Sequence, residues 1–143
     1  MISPARVVQL LGGDETLPGA AAQGDTLERA VRAGLPFAAV RRLIESGRLT
    51  TAEVTALALP RTTYGRRARE GALSGAESER IERLARVIAT AEEVFLDQGR
   101  AGRWLRAPHP ELEGRLPLEV AASELGARRV ETMLWQIGHG IAA

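Results

Sequence analysis

Two capping boxes, Thr50-x-x-Glu53 and Ser74-x-x-Glu77, constrain this chain more than any other feature. In each, the hydroxyl and the carboxylate satisfy each other's orphan backbone N–H groups, which marks a helix start at a fixed residue. Prolines and glycines supply the other boundaries. Ser3-Pro4 opens a short helix carrying Val7, Val8 and Leu11, and Gly12-Gly13 stops it. Residues 12–25 read as a Gly-rich linker without an apolar period. A helix over Thr26–Ala33 ends at Gly34. Pro36 is placed at a first helical position, and Val40, Leu43 and Ile44 form a stripe that ends at Gly47. The Thr50 box opens a helix that reaches about Leu59, where Pro60 prevents continuation. Thr62–Glu70 follows, closed by Gly71.

The Ser74 box opens the longest helix, expected over about 75–98 and terminated by Gly99. Ile81, Leu84, Ile88, Ala91 and Phe95 step by three and four residues along one face, with Val87 and Val94 beside them. Glu79, Glu82, Arg83, Arg86 and Glu93 are expected on an opposite, solvated face. Next come a helical turn around Trp104-Leu105, a Pro-rich loop, and a helix at 118–124 with Pro117 in its first position. Gly126 is expected to separate this from a last helix, 127–138, with Val130, Leu134 and Ile137 inward. Ala, Leu, Arg and Glu dominate while aromatics make up 3%, which favours helix over strand. The expected fold is all-α, with a helix-turn-helix-like N-terminal region and a helical C-terminal domain. The expected division is 1–25, 26–72 and 73–143.

Several function classes lack their parts. No cysteine is present, and the two histidines, His109 and His139, stand at no metal-ligand spacing. Glu92 and Glu93 are adjacent acids, about 100° apart on a helix, and read as outward, solvated charge rather than a catalytic pair. No glycine motif follows a strand to cradle phosphate. An enzyme is not expected, nor a metal or cofactor. No apolar run approaches the roughly 20 residues of a membrane span. The N-terminus lacks a signal-peptide layout, and a cytoplasmic location is expected.

Charge is uneven. Residues 1–70 hold ten arginines against seven acids, and residues 71–143 hold nine against eleven. The stretch from Pro60 to Arg69 concentrates Arg61, Arg66, Arg67 and Arg69 with Thr62, Thr63 and Tyr64. Arginine forks and hydroxyls at a helix start suit phosphates and guanine edges, so these residues are candidate operator-DNA contacts. An arginine face that holds acids of the second half is the alternative. Trp135 lies about 100° from the inward stripe of the last helix, as an interface anchor or as a cap on the core's edge.

From residue 59 onward the sequence resembles the Xre/MbcA/ParS-like antitoxins. The ordered features are Pro60-Arg61-Thr62 with Arg66-Arg67, then Leu73-Ser74 with Glu77-Ser78, then Arg83-Leu84-Ala85-Arg86-Val87. Ala91, Phe95, Trp104-Leu105, Pro108, Leu112, Gly114, Pro117-Leu118, Gly126, Val130, Leu134, Ile137 and His139-Gly140 complete the set. His109 stands where the family usually has asparagine. The resemblance implies a partner, a RES-domain toxin that consumes NAD, whose NAD cleft is blocked by the antitoxin's C-terminal end. Toxin contact then falls on Trp135, Gly138, His139, Gly140, Ile141, Ala142 and Ala143. It also implies repression of the antitoxin's own operon; operator binding by the Pro60–Arg69 stretch is expected as part of a dimer. A stand-alone helix-turn-helix repressor is the second reading.

Overall fold

The computed structural model describes residues 1–19 and 24–140. Among these residues there are nine α-helices and no strand, only an isolated bridge between Pro36 and Ala72. Helix α1 spans Pro4–Leu10, with Ser3 Oγ accepting from Arg6 N–H and Val7, Val8 and Leu10 buried. A 3-10 turn at Gly13–Glu15 follows, and Leu17 is buried, so the expected linker contributes to the core. Its residues 20–23 lie outside the described part.

α2 runs Gly24–Ala33, beginning two residues before Thr26. α3 is Phe37–Glu45, with Pro36 as its N-cap rather than its first residue. α4 is Thr51–Leu57 and α5 is Arg61–Glu70. Both capping boxes form as expected, at Thr50–Glu53 and Ser74–Glu77. Phe37 N–H donates to Gly71 O at 2.8 Å and Leu73 N–H to Leu35 O at 2.9 Å, closing α3–α5 at the neck. Gly34, at φ +108°, passes so close to the Leu73 carbonyl that a Cβ would collide with it. Leu35 N–H donates at 2.7 Å to Ser78 Oγ, buried in the next helix.

α6, Gly75–Phe95, is the axis of the molecule, packing against α1, α2, α7 and α9. Its end differs from expectation. Leu96 terminates it in the left-handed region at φ 56°, and Asp97 then caps α7, Gln98–Leu105, by accepting from Arg100 N–H. Gly99 falls in the first turn of α7. Leu96 is 87% exposed, so its side chain contributes little to packing while its backbone is strained. Leu96→Gly is therefore expected to raise stability by about 1 kcal/mol, read as a higher urea midpoint with an unchanged slope.

A 3-10 turn at Pro110–Leu112 and the short α8, Pro117–Val120, lead to α9, Glu124–Gly138. Ser123 caps α9, so Gly126 belongs to its first turn and is not a separator. A Cβ on Gly126 would collide with the Val120 carbonyl, and its absence allows α8 to approach α9. Arg83 meets Glu124, Arg86 meets Glu131, and Val94 packs on Gly138, so α6 and α9 run parallel. One continuous core, from Ile2 to Leu134, runs through the helices; α5, none of whose residues is fully buried, packs against it through Tyr64 and Ala68.

The charged side of α6 is only in part the solvated face expected: Glu79 and Glu93 are exposed, but Glu82, Arg83 and Arg86 are half-buried against α9. Arg86 pairs with Glu82 at 3.0 Å, Glu131 at 2.9 Å and Glu124 at 3.2 Å, and Arg83 pairs with Glu124 at 3.1 Å. Burial pushes the Glu82 carboxyl upward, against the opposing pull of Arg86. Glu92, also expected in solvent, is buried. It accepts from Arg6 at 2.8 Å and from Arg48 at 2.7 and 2.9 Å, joining α1 and the α3–α4 loop to α6.

Candidate functional site

The arginine-rich helix α5 is divided by its own period. Tyr64 and Ala68 turn inward, and the Tyr64 ring meets Phe37 edge-on at 5.1 Å. Arg41 lies over the same Phe37 ring at 4.9 Å. Arg67, one turn from Tyr64, is also drawn in. Its Nε donates to Glu77 Oε1 at 2.8 Å and its Nη2 to Oε2 at 3.1 Å, while Nη1 reaches Glu70 at 2.8 Å. Arg67 thus holds an acid of the second half, the alternative left open for this segment. Arg61, Thr62, Arg66 and Arg69 are exposed, and Thr63 is half-buried.

Glu77 serves two partners, since it also accepts from Ser74 N–H at 2.8 Å in the capping box. The Arg67 fork holds this carboxyl below its ordinary range, with burial opposing and the Ser74 N–H assisting. A carboxyl lowered in the folded state stabilises above its unfolded pKa and loses that contribution as pH falls through the folded value. Glu77→Gln is accordingly expected to destabilise at pH 7, with the gap to the unsubstituted chain narrowing below about pH 4. Thermal midpoints measured across this range check the sign.

Glu53 follows the same design at the other box. It accepts from Thr50 N–H and takes Arg106 of the α7 C-cap at 2.7 and 2.8 Å. Burial opposes ionisation there, yet Arg106 and Thr50 together hold the carboxyl below its usual range. Arg106 also donates to Arg48 O at 3.0 Å, and Gln98 donates to Ser46 O at 2.7 Å. These contacts fasten α7 to α3–α4.

The second candidate surface is the end of α9. Ala127, Val130, Met133 and Leu134 are buried, and Gly138 rests on Val94, where a Cβ would come within 3.3 Å. Trp135 is half-buried at the edge of the core, and its ring faces that of His139 at 6.3 Å. Gly138, His139 and Gly140 are exposed. His139 N–H donates to Trp135 O at 2.9 Å, and Gly140 has a positive φ of 73°. Ile141, Ala142 and Ala143, also candidate contacts, lie outside the described residues. Trp104, by contrast, is half-buried between Phe95 at 5.9 Å and His109 at 4.8 Å. His109 Nε2 lies 3.3 Å from Trp104 O, so this histidine closes the Pro-rich loop.

Among the described residues no group of His, Cys, Asp and Glu is placed to hold a metal, and no helix is long and apolar enough to cross a membrane. Short, separately capped helices closed at a neck, followed by a second helical part on a shared axial helix, define a two-part all-helical protein with a helix-turn-helix-like N-terminal domain. Residues 26–86 match the family model of the Antitoxin Xre-like helix-turn-helix domain. Residues 90–140 match that of the Antitoxin Xre/MbcA/ParS C-terminal toxin-binding domain. The chain is 37% identical over 99 residues to an Antitoxin Xre of Pseudomonas putida (strain KT2440), covering 69% of this chain and 62% of that relative. An Antitoxin Xre of Yersinia enterocolitica (serotype O:8 / biotype 1B) is 29% identical over 142 residues, covering 97% of this chain and 95% of its own length. The chain belongs to the Xre/MbcA/ParS-like antitoxins.

Proposed function

We propose that this chain neutralises a RES-domain toxin by occupying the toxin's NAD cleft with the end of α9 and the residues after it. The chain performs no chemistry of its own in this reading; it works in the cytoplasm by steric exclusion. The observation that carries the reading is the form of the α9 terminus. One side of the helix is fixed to α6 by Leu134 and by Gly138 on Val94, while Trp135, His139 and Gly140 are left at the surface. A firmly seated helix that ends in small residues can present a narrow projection to a cleft, with little ordering left to do on binding. Trp135 is the anchor beside it, an aromatic of the kind that dominates interface energetics.

In the same reading α5 meets operator DNA, as part of a dimer that represses its own operon. The exposed Arg61, Thr62, Arg66 and Arg69 support this, with Thr63 and Tyr64 bordering them. Arg67 takes the role of a positioning residue, because its fork is occupied by Glu77.

Co-expression of the full chain with the RES-domain protein encoded beside it tests the toxin reading. Growth and cellular NAD are expected to be maintained, and the two proteins to purify together. A toxin that stays active and purifies without this chain would overturn the reading.

A further inference from the structure

Gly65 is in the middle of α5, a poor position for glycine, which is second only to proline in disfavouring a helix interior. Every other α-helical glycine with described surroundings would bring a Cβ within 3.4 Å of a neighbour, from Arg106 Nη1 at 3.1 Å from Gly102 to the Val120 carbonyl, which a Cβ on Gly126 would strike. A Cβ at Gly65 meets only the flexible end of Arg69, at 3.6 Å, and the backbone there is ordinary helix. The chain's own packing gives no reason for the missing side chain. A helix with no fully buried residue has little stability to spare for such a choice.

The surroundings indicate what approaches. On a helix, the neighbours of position 65 are 61, 62, 68 and 69, one turn to either side. Arg61, Thr62 and Arg69 are exposed, while Ala68 turns toward the core. Among the described residues, neither Arg61 nor Arg69 has a carboxylate within salt-bridge distance, whereas Arg66 and Arg67 both reach Glu70. The result is a notch with a bare backbone floor, two uncommitted guanidinium groups on its rim and a hydroxyl beside them.

We propose that this notch receives a sugar-phosphate segment of duplex DNA, so that Gly65 is the point where the α5 backbone comes closest to its partner. Glycine permits such an approach because it has no side chain to hold the partner off. The arginines flank the phosphate from both sides, and Thr62 donates to it. Duplex DNA is the occupant because residues 26–86 match a helix-turn-helix domain. The inference rests on α5 being the DNA-facing helix and adds which of its positions must stay small.

The test uses the full-length chain and a duplex taken from upstream of its own gene, with binding followed by fluorescence anisotropy at several salt concentrations. Gly65→Ala is expected to weaken binding at least tenfold, to leave the salt slope unchanged and to leave the thermal midpoint equal or higher. Arg61→Ala and Arg69→Ala are each expected to reduce that slope by about 0.9. A Gly65→Ala chain that binds as tightly as the original would overturn the notch while leaving α5 as the DNA face. So would a lowered thermal midpoint, since the glycine would then be required by internal packing. An original chain with no affinity for any duplex would remove the DNA-binding reading itself, and the notch with it.

Discussion

A chain shortened to end at Gly138 is expected to fold and to bind its toxin, yet to leave that toxin roughly a hundredfold more active than the full-length chain does, an effect equivalent to about 3 kcal/mol. The residues that fix α9 all precede the cut: Ala127, Val130, Met133 and Leu134 are buried, and Gly138 meets Val94. The removed part begins at His139, which is exposed and whose backbone bond to Trp135 O closes only the last turn. Its loss should shift the thermal midpoint by little. With the NAD-consuming toxin of the proposed function, NAD consumption by the purified pair, measured beside the affinity of the two proteins, separates occlusion from mere association. Complete inhibition by the shortened chain would place the block elsewhere on the surface. Trp135→Ala in the full-length chain is the complementary change, expected to reduce affinity about thirtyfold, as for a single aromatic anchor.

Glu92→Ala is expected to lower the stability of the fold by about 2–3 kcal/mol. The side chain is 5% exposed and holds Arg48, itself 17% exposed, through two bonds, and Arg6 through a third. Removing the carboxylate leaves the Arg48 guanidinium in a cleft lined by Ile88 and Leu105 without its counter-charge. Arg6, 34% exposed, can turn to water, which keeps the loss below that of a fully enclosed pair. A double-mutant cycle with Arg48→Ala should show a coupling of about 1 kcal/mol or more. If Glu92→Ala melts with the unsubstituted chain, these bonds contribute nothing net.

What could be read from the sequence follows from how local each determinant is. Both capping boxes act within four residues, and both formed where spacing placed them. The second duty of Glu53 was not legible, because Arg106 is 53 residues away and no spacing rule connects them, whereas the hold of Arg67 on Glu77 was one of the two readings open for the arginine-rich stretch. The end of α6 was expected at Gly99, and the structure places it three residues earlier, at Leu96. Gly99 has the better residue type for a helix end, but Asp97 has the side chain that starts the next helix, and the start prevailed with Leu96 strained between them. Periodicity located the charged side of α6 correctly and assigned it to water, since the pattern cannot distinguish solvent from a neighbouring helix with complementary charges. Glu124 and Glu131 of α9 supply those charges.

The site shows the same division. Concentrated arginine on α5 was visible at once. That Arg67 faces the body of the protein was also legible, since Tyr64, Arg67 and Ala68 stand at i, i+3 and i+4, the spacing of one helical face. The role of Gly65 was not legible, because a glycine's role depends on what surrounds it, and that appears only in three dimensions.

The axial helix α6 has a consequence for anyone who would re-pair such proteins with new toxins. The two matched regions meet on it, one ending at residue 86 and the other beginning at 90. Arg80 and Glu92 tie both stretches to α4, the α3–α4 loop and α1. Splicing the rear part of one relative onto the front of another would part Glu92 from Arg6 and Arg48 in the middle of one continuous helix. A working chimaera has to transplant that helix together with the arginines that grip it, so specificity and scaffold are inherited as one piece.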